Sequence, residues 1–204
     1  MGEGDVCMLI DQRKKEIHVK IVYYGPALSG KTTNLKYIYR RLNPQFRGEM
    51  VTVDTKGERT MYFDFLPVEV KAPGGFKVKF HLYTVPGQEF YRVSRKLVLK
   101  GTDGVVFVAD SAVDRREANI KIMNEMVETL KEFKTPIETL AFVIQYNKRD
   151  LPSILDIPTL QSDLNHLGVP YFEAIAKEGK GVFQTLDGVV KQVMNKIVKK
   201  AQAG

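Results

Sequence analysis

The chain has 204 residues, 44% of them hydrophobic, with a single cysteine and a formal net charge of +7. That length and apolar content support one full core at the upper edge of the single-domain range and exclude general disorder. Cys7 alone builds neither a disulfide framework nor a cysteine metal site, no run approaches the roughly 18 apolar residues of a membrane span, and the acidic start is not a secretion signal.

Gly2 invites a myristoylation reading, but Val6 stands where Ser or Thr is wanted and the end Ala-Gln-Ala-Gly is no prenylation box. Covalent anchoring is therefore disfavoured, and a reducing, cytoplasmic compartment is expected. The excess of positive charge suits an anionic partner such as a lipid surface or an acidic protein. Its groups are dispersed, as Arg13-Lys14-Lys15, Lys36 with Arg40 and Arg41, Arg92 through Lys100, and Lys191 through Lys200. Ordinary solvated faces are the expectation for most of them, with an anionic docking face as the alternative. No aromatic interleaving marks a nucleic-acid module, so no specific nucleic-acid partner is expected.

Residues 1–15 read as a charged N-terminal extension, either flexible or packed through Val6, Met8, Leu9 and Ile10. Residues 16–204 read as one globular domain. Its first strand covers 17–24 and leads into Gly25-Pro26-Ala27-Leu28-Ser29-Gly30-Lys31-Thr32, the spacing G-x-x-x-x-G-K-[ST] of a phosphate-binding loop. The glycines let the backbone curl so that successive N–H groups and a helix N-terminus face a phosphate. Lys31 brings charge to the β/γ-phosphates and the Thr32 hydroxyl can ligate Mg²⁺. The bland alternative is a Gly-rich turn beside a solvated lysine.

A helix is expected from Lys31 to Leu42, ending before Asn43-Pro44. Residues 43–58 lack periodicity and read as a long polar connection of the kind that carries function. Residues 61–70 and 76–83 form an antiparallel hairpin about the turn 72–75, with Pro67 placing the first strand at a sheet edge or bulge. His18 and His81 fall within strand patterns and read as structural. After an irregular segment at 84–92 come a helix at 92–100, a strand at 104–110, an amphipathic helix at 115–134, a strand at 139–146, a helix at 159–167, a strand at 169–174 and a helix at 181–200. Met123 and Met126 read as core filling. The alternation implies an α/β fold: a mostly parallel six-stranded sheet with one antiparallel edge strand and helices on both faces, ligands binding at the C-terminal strand edge.

Together these motifs resemble the MglA family of bacterial Ras-like small GTPases, which act in cell polarity and gliding motility. The resemblance spans residues 16–200 and rests on Gly25 to Thr33, Gly48-Glu49-Met50 through Glu58-Arg59-Thr60, Phe63-Asp64-Phe65-Leu66-Pro67, Thr84-Val85-Pro86-Gly87-Gln88 and Asn147-Lys148-Arg149-Asp150. It implies a P-loop NTPase that binds GTP/GDP and Mg²⁺ and hydrolyses GTP. The phosphates would meet Gly25, Leu28, Ser29, Gly30, Lys31, Thr32 and Thr33, with Thr32 and Thr60 as metal ligands. Gly87 would sense the γ-phosphate through its N–H, Gln88 would orient the attacking water, and Arg59 would supply an arginine from within the chain. In the N-K-x-D segment, Asp150 can accept from guanine N1–H and the exocyclic amine, a donor pair adenine lacks. Lys148 would lie along the base, Asn147 would brace the loop or meet N7, and the Ala174 N–H would meet O6.

One position departs from the general small-GTPase pattern: Thr84 replaces the aspartate that stands behind the metal, leaving Asp64 or Asp110 as possible substitutes. The family also implies register sliding of the 61–83 hairpin, an MglB-like roadblock-fold activator dimer, effectors that read the GTP state, and cytoplasmic localisation at a cell pole through such partners. Two other functions compete: a hydrolysis-deficient, GTP-bound scaffold docking to proteins or membrane, and an ATP-dependent small-molecule kinase, which would not need Asn147-Lys148-Arg149-Asp150.

Overall fold

The computed structural model describes residues 9–54, 62–71, 75–87 and 91–203. The positions expected for Arg59, Thr60 and Gln88, and those of Val6 and Met8, lie outside the described residues.

One sheet organises the chain. Its order is β3 (Val51–Asp54), β4 (Tyr62–Lys71), β5 (Lys77–Thr84), β2 (Glu16–Tyr24), β6 (Gly104–Asp110), β7 (Ala141–Asn147) and β8 (Tyr171–Glu173), with β1 (Leu9–Asp11) paired to β2. The run from β5 through β2 to β8 is parallel, whereas β3, β4 and β5 pair antiparallel, as does β1 with β2. Every residue of β6 and β7 is buried, because helices cover both faces of these central strands. That two-sided burial is why their sequences read as unbroken apolar runs.

Two cores result. On one face Val19, Ile21, Tyr23, Val106 and Val143 meet Leu35 and Ile38 of α1 (Lys31–Arg41) and Val189 and Val193 of α5 (Val182–Ala203). On the other, Val22, Val105, Phe107 and Ile144 meet α2 (Arg92–Leu99), α3 (Arg116–Glu132) and α4 (Ile157–Leu164) through Val98, Leu99, Ile122, Met126, Leu130 and Leu160. Met123 and Met126 are buried in this second core, as their spacing predicts. α4 begins before the expected Thr159 because the Asp156 carboxylate caps it, accepting from the Thr159 N–H at 2.8 Å, with proline in the first turn.

The described sheet has eight strands where the periodicity suggests six. β1 and β3 are three and four residues long, too short to show an alternation. The stretch 43–58 is therefore not a plain polar connection: it holds a 3₁₀ turn at Pro44–Phe46 and then β3. Nor is the Pro67 strand the edge, since β3 pairs with Tyr62–Phe65 of β4 outside it. Pro67 lies just past that ladder, where its carbonyl accepts from the Gly48 N–H at 3.0 Å. A strand residue points its N and C=O to the same side, so the missing N–H faces the outer side, where Arg47 bridges to Val68, and costs no bond to β5.

His18 and His81 stack with ring centroids 5.2 Å apart and Nδ1 to Nε2 at 2.9 Å. No group of three potential metal ligands occurs among the described residues. No helix of the described residues is long and apolar enough to cross a membrane.

A buried amide pair ties the first core together. Asn34 of α1 and Gln145 of β7 exchange hydrogen bonds at 2.8 and 3.0 Å, and Gln145 also donates to the Thr185 hydroxyl of α5 at 2.8 Å. Gln145→Leu strips the Asn34 carbonyl oxygen of its donor in a fully buried site. Denaturant unfolding should show a loss of about 2 kcal/mol for this variant, and an unchanged midpoint would mean water or a rotamer change replaces the bond.

Candidate functional site

The loop from Gly25 to Gly30 joins β2 to α1 at the C-terminal edge of the sheet, where the expected ligand edge lies. Its two glycines are sterically required. Gly25 has φ +141 and a Cβ there would sit 2.2 Å from the Val108 carbonyl oxygen; Gly30 has φ +104 and its Cβ would meet Asn147 Nδ2 at 2.2 Å. Leu28 also takes a positive φ of 64 and projects outward, 84% exposed. Behind it Lys31 is buried, its Nζ donating to the carbonyls of Gly25 at 2.9 Å and Pro26 at 2.6 Å. Burial pushes the Lys31 ammonium down to about 7, the charge of Arg95 adds to the shift, and Asp64 opposes it.

Two adjoining cavities flank the loop and share Leu28, Gly30 and Thr33. The larger, about 580 Å³, is lined by Lys31, Thr32, Thr84 and Gly87 among others. The smaller, about 290 Å³, is walled by Asn147, Lys148, Asp150, Ala176 and Lys177. Together they form a trough with a basic, N–H-rich end and an end carrying one carboxylate.

At the first end the Thr84 position is resolved by its neighbours. Asp64 of β4, 1% exposed, accepts from the Thr32 hydroxyl at 2.5 Å, from Thr84 at 2.9 Å and from Thr52 at 2.9 Å, while its own N–H donates to Thr84 Oγ at 2.9 Å. A carboxylate thus stands directly behind Thr32, supplied from the adjacent strand. Asp110 does not serve here: Lys148 Nζ holds its Oδ2 at 2.6 Å on the other side of the trough. Gly87 rests on the loop so closely that a Cβ would lie 2.2 Å from Ala27 N, which no side chain could occupy without displacing backbone.

At the second end Asn147 is a brace. Its Nδ2 donates to the Ser29 carbonyl at 2.8 Å and its Oδ1 accepts from the Ala176 N–H at 2.9 Å, joining the phosphate-type loop to the segment after β8. Asp150 pairs with Lys177 Nζ at 2.5 Å, and that hydrogen bond holds its carboxyl below the usual carboxylate range. The expectation for Ala174 is corrected. Its N–H donates to the Tyr146 carbonyl at 2.8 Å, continuing the β7 to β8 pairing, so it is not turned toward the trough. The wall there is Ala176 and Lys177, two residues further on. Sequence reasoning also passed over Arg115, whose Nη2 donates to the Ala27 carbonyl at 2.9 Å; nothing in local periodicity signals that contact.

Residues 6–193 match the family model described as the ADP-ribosylation factor family. The chain is 48% identical over 190 residues to the mutual gliding-motility protein MglA of Myxococcus xanthus (strain DK1622), covering 93% of this chain and 97% of that protein. It is 26% identical to human Ras-related protein Rab-27B over 195 residues, 90% of this chain and 84% of that one. With human ADP-ribosylation factor-like protein 4A it shares 32% identity over 142 residues, 69% of this chain and 63% of the relative.

The lowered Lys31 value carries a pH signature in the ligand-free protein. Its folded value of about 7 lies below the ordinary 10.5. The unfolded state therefore binds more protons between these values, and stability rises as pH increases through that window. Lys31→Met removes this slope. The wild-type minus variant unfolding free energy should increase by about 2 kcal/mol between pH 7 and pH 9, as read by urea titration; a difference independent of pH would contradict the burial.

Proposed function

The chain belongs to the ADP-ribosylation factor family of Ras-like small GTPases, among its MglA-like members, and from this membership we propose an assignment of its working parts and its partners. The protein is a guanine-nucleotide-binding switch that hydrolyses GTP to GDP and phosphate. Its nucleotide domain comprises residues 16–204 together with β1, which joins the same sheet through β2. The larger cavity takes the phosphates against Gly25, Leu28, Ser29, Gly30, Lys31, Thr32 and Thr33. The smaller takes guanine, with Asp150 accepting from N1–H and the exocyclic amine, Lys148 along the base plane, and Asn147 holding both walls.

The observation that carries this reading is the Asp64 carboxylate behind the Thr32 hydroxyl. Hydroxyl and carboxylate oxygens form a hard donor set that suits Mg²⁺. Thr32 and Thr60 would hold the ion, with Asp64 in place of the carboxylate absent at Thr84. When bound, Mg²⁺ neutralises charge on the β- and γ-phosphate oxygens. The scaffold alternative rests on the aspartate missing at position 84 together with the net charge of +7; a substitute carboxylate answers the first of these.

Gln88 orients the attacking water, and the Gly87 N–H meets the γ-phosphate. Arg59 neutralises charge that develops at the β–γ bridge. The relative's name ties that protein to gliding motility, and the high identity supports the same role here, in cell polarity or motility. Regulators and effectors are general to small GTPases; an MglB-like roadblock dimer is the activator we assign, with cytoplasmic placement at a cell pole through partners. The net charge of +7 supports peripheral association with anionic surfaces.

Steady-state phosphate release tests the assignment. With a roadblock partner, Gln88→Ala and Arg59→Ala should each lower turnover by about 10²-fold or more, and Asp64→Ala should raise the Mg²⁺ concentration needed for half-maximal rate by about tenfold. Unchanged stimulated rates in the first two variants would remove Gln88 and Arg59 from the mechanism.

A further inference from the structure

A buried ion pair lies beside the trough and is used by none of the roles above. Arg95, in α2, is 1% exposed. One edge of its guanidinium grips Glu125 of α3: Nε donates to Oε1 at 2.8 Å and Nη2 to Oε2 at 2.9 Å. The Tyr24 hydroxyl, at the end of β2 where the phosphate loop begins, donates to the same Oε1 at 3.2 Å. Arg95's remaining nitrogen, Nη1, reaches across to the Pro86 carbonyl at 3.3 Å.

A planar fork is needed for this arrangement. A lysine ammonium can meet Glu125 as a point charge but cannot hold both carboxylate oxygens and a carbonyl on its far side. The Pro86 carbonyl belongs to the peptide that carries the Gly87 N–H. In a trans peptide these two groups point in opposite directions in one rigid plane. Fixing the carbonyl toward Arg95 therefore fixes the N–H away from it. Contact of Gly87 with the Ala27 backbone leaves that plane little room to turn.

We propose that Arg95 is a positioning residue for γ-phosphate recognition: by holding the Pro86 carbonyl it aims the Gly87 N–H, and through Glu125 and Tyr24 it ties that aim to α3 and to the root of the phosphate loop. The inference rests on the assignment of the Gly87 N–H to the γ-phosphate. Its consequence is selective, because GDP has no γ-phosphate for that N–H to meet. Loss of Arg95 weakens GTP recognition while GDP binding persists. The charge of Arg95 is also felt at Lys31, where it adds to the lowering by burial, so the group lies within electrostatic reach of the phosphate end.

The test is the ratio of affinities for a non-hydrolysable GTP analogue and GDP, measured with fluorescent nucleotides and Mg²⁺. The proteins are wild type, Arg95→Lys, and the double variant Arg95→Met with Glu125→Leu, which removes the pair without stranding a buried charge. Thermal melting reports folding, and the double variant covers failure of the single one to fold. GDP affinity should stay within about twofold of wild type, whereas analogue affinity should fall about tenfold in both variants, with single-turnover hydrolysis falling alongside. Equal losses for both nucleotides, or no loss for either in folded variants, overturn the inference alone. A wild type that binds neither nucleotide overturns the functional reading and this inference with it.

Discussion

The side chain of Asn147 makes one site out of two loops. With one amide it holds the Ser29 carbonyl and the Ala176 N–H, at 2.8 and 2.9 Å, so the two ends of the trough cannot separate without breaking a buried group paired through both its nitrogen and its oxygen. The constraint runs back into the sequence. Gly30 must lack a side chain because Asn147 Nδ2 occupies the place of its Cβ. The strand that delivers Asn147 is buried along its whole length, which anchors the brace to the core.

The Thr32 end of the trough shows how one chemical requirement is met from a different position. A carboxylate is wanted behind the threonine hydroxyl, and the residue that usually supplies it is Thr84 here. Asp64, across the β4 to β5 pairing, takes hydrogen bonds from Thr32, Thr84 and Thr52. Asp64 belongs to the antiparallel hairpin, so any slide of that hairpin moves the carboxylate by about 3.3 Å per residue. Thr84, at the end of β5, lies on the other strand of the same hairpin, so Asp64 and Thr84 would shift together.

The central strands and the long helices were legible because two-sided burial and a 3.6-residue period leave strong marks: β6 and β7 as apolar runs, α3 through Ile122, Met126 and Leu130. β1 and β3 were not, being shorter than the patterns that reveal strands. The phosphate loop can be read from its spacing, since its function depends on local geometry, whereas Asn147-Lys148-Arg149-Asp150 needs the buried strand before it and the family resemblance to be read. The choice between Asp64 and Asp110 cannot be read from the sequence, because it is decided by which strand lies next to which and by the prior claim of Lys148 on Asp110. Ala174 misleads for a related reason. It continues the strand ladder through Tyr146, and the chain turns to the trough only after it, at Ala176.

The account stands on a guanine nucleotide lying across both cavities with its base read by Asp150. Isothermal calorimetry with Mg²⁺ on wild type and Asp150→Asn, using GDP, ADP and xanthosine diphosphate, addresses it directly. Wild type should bind GDP and reject ADP, and the variant should exchange GDP for xanthosine diphosphate, since an amide can donate to the 2-oxo group where the carboxylate cannot. Folded wild-type protein that takes up no GDP, or a variant whose base preference does not change, would contradict it.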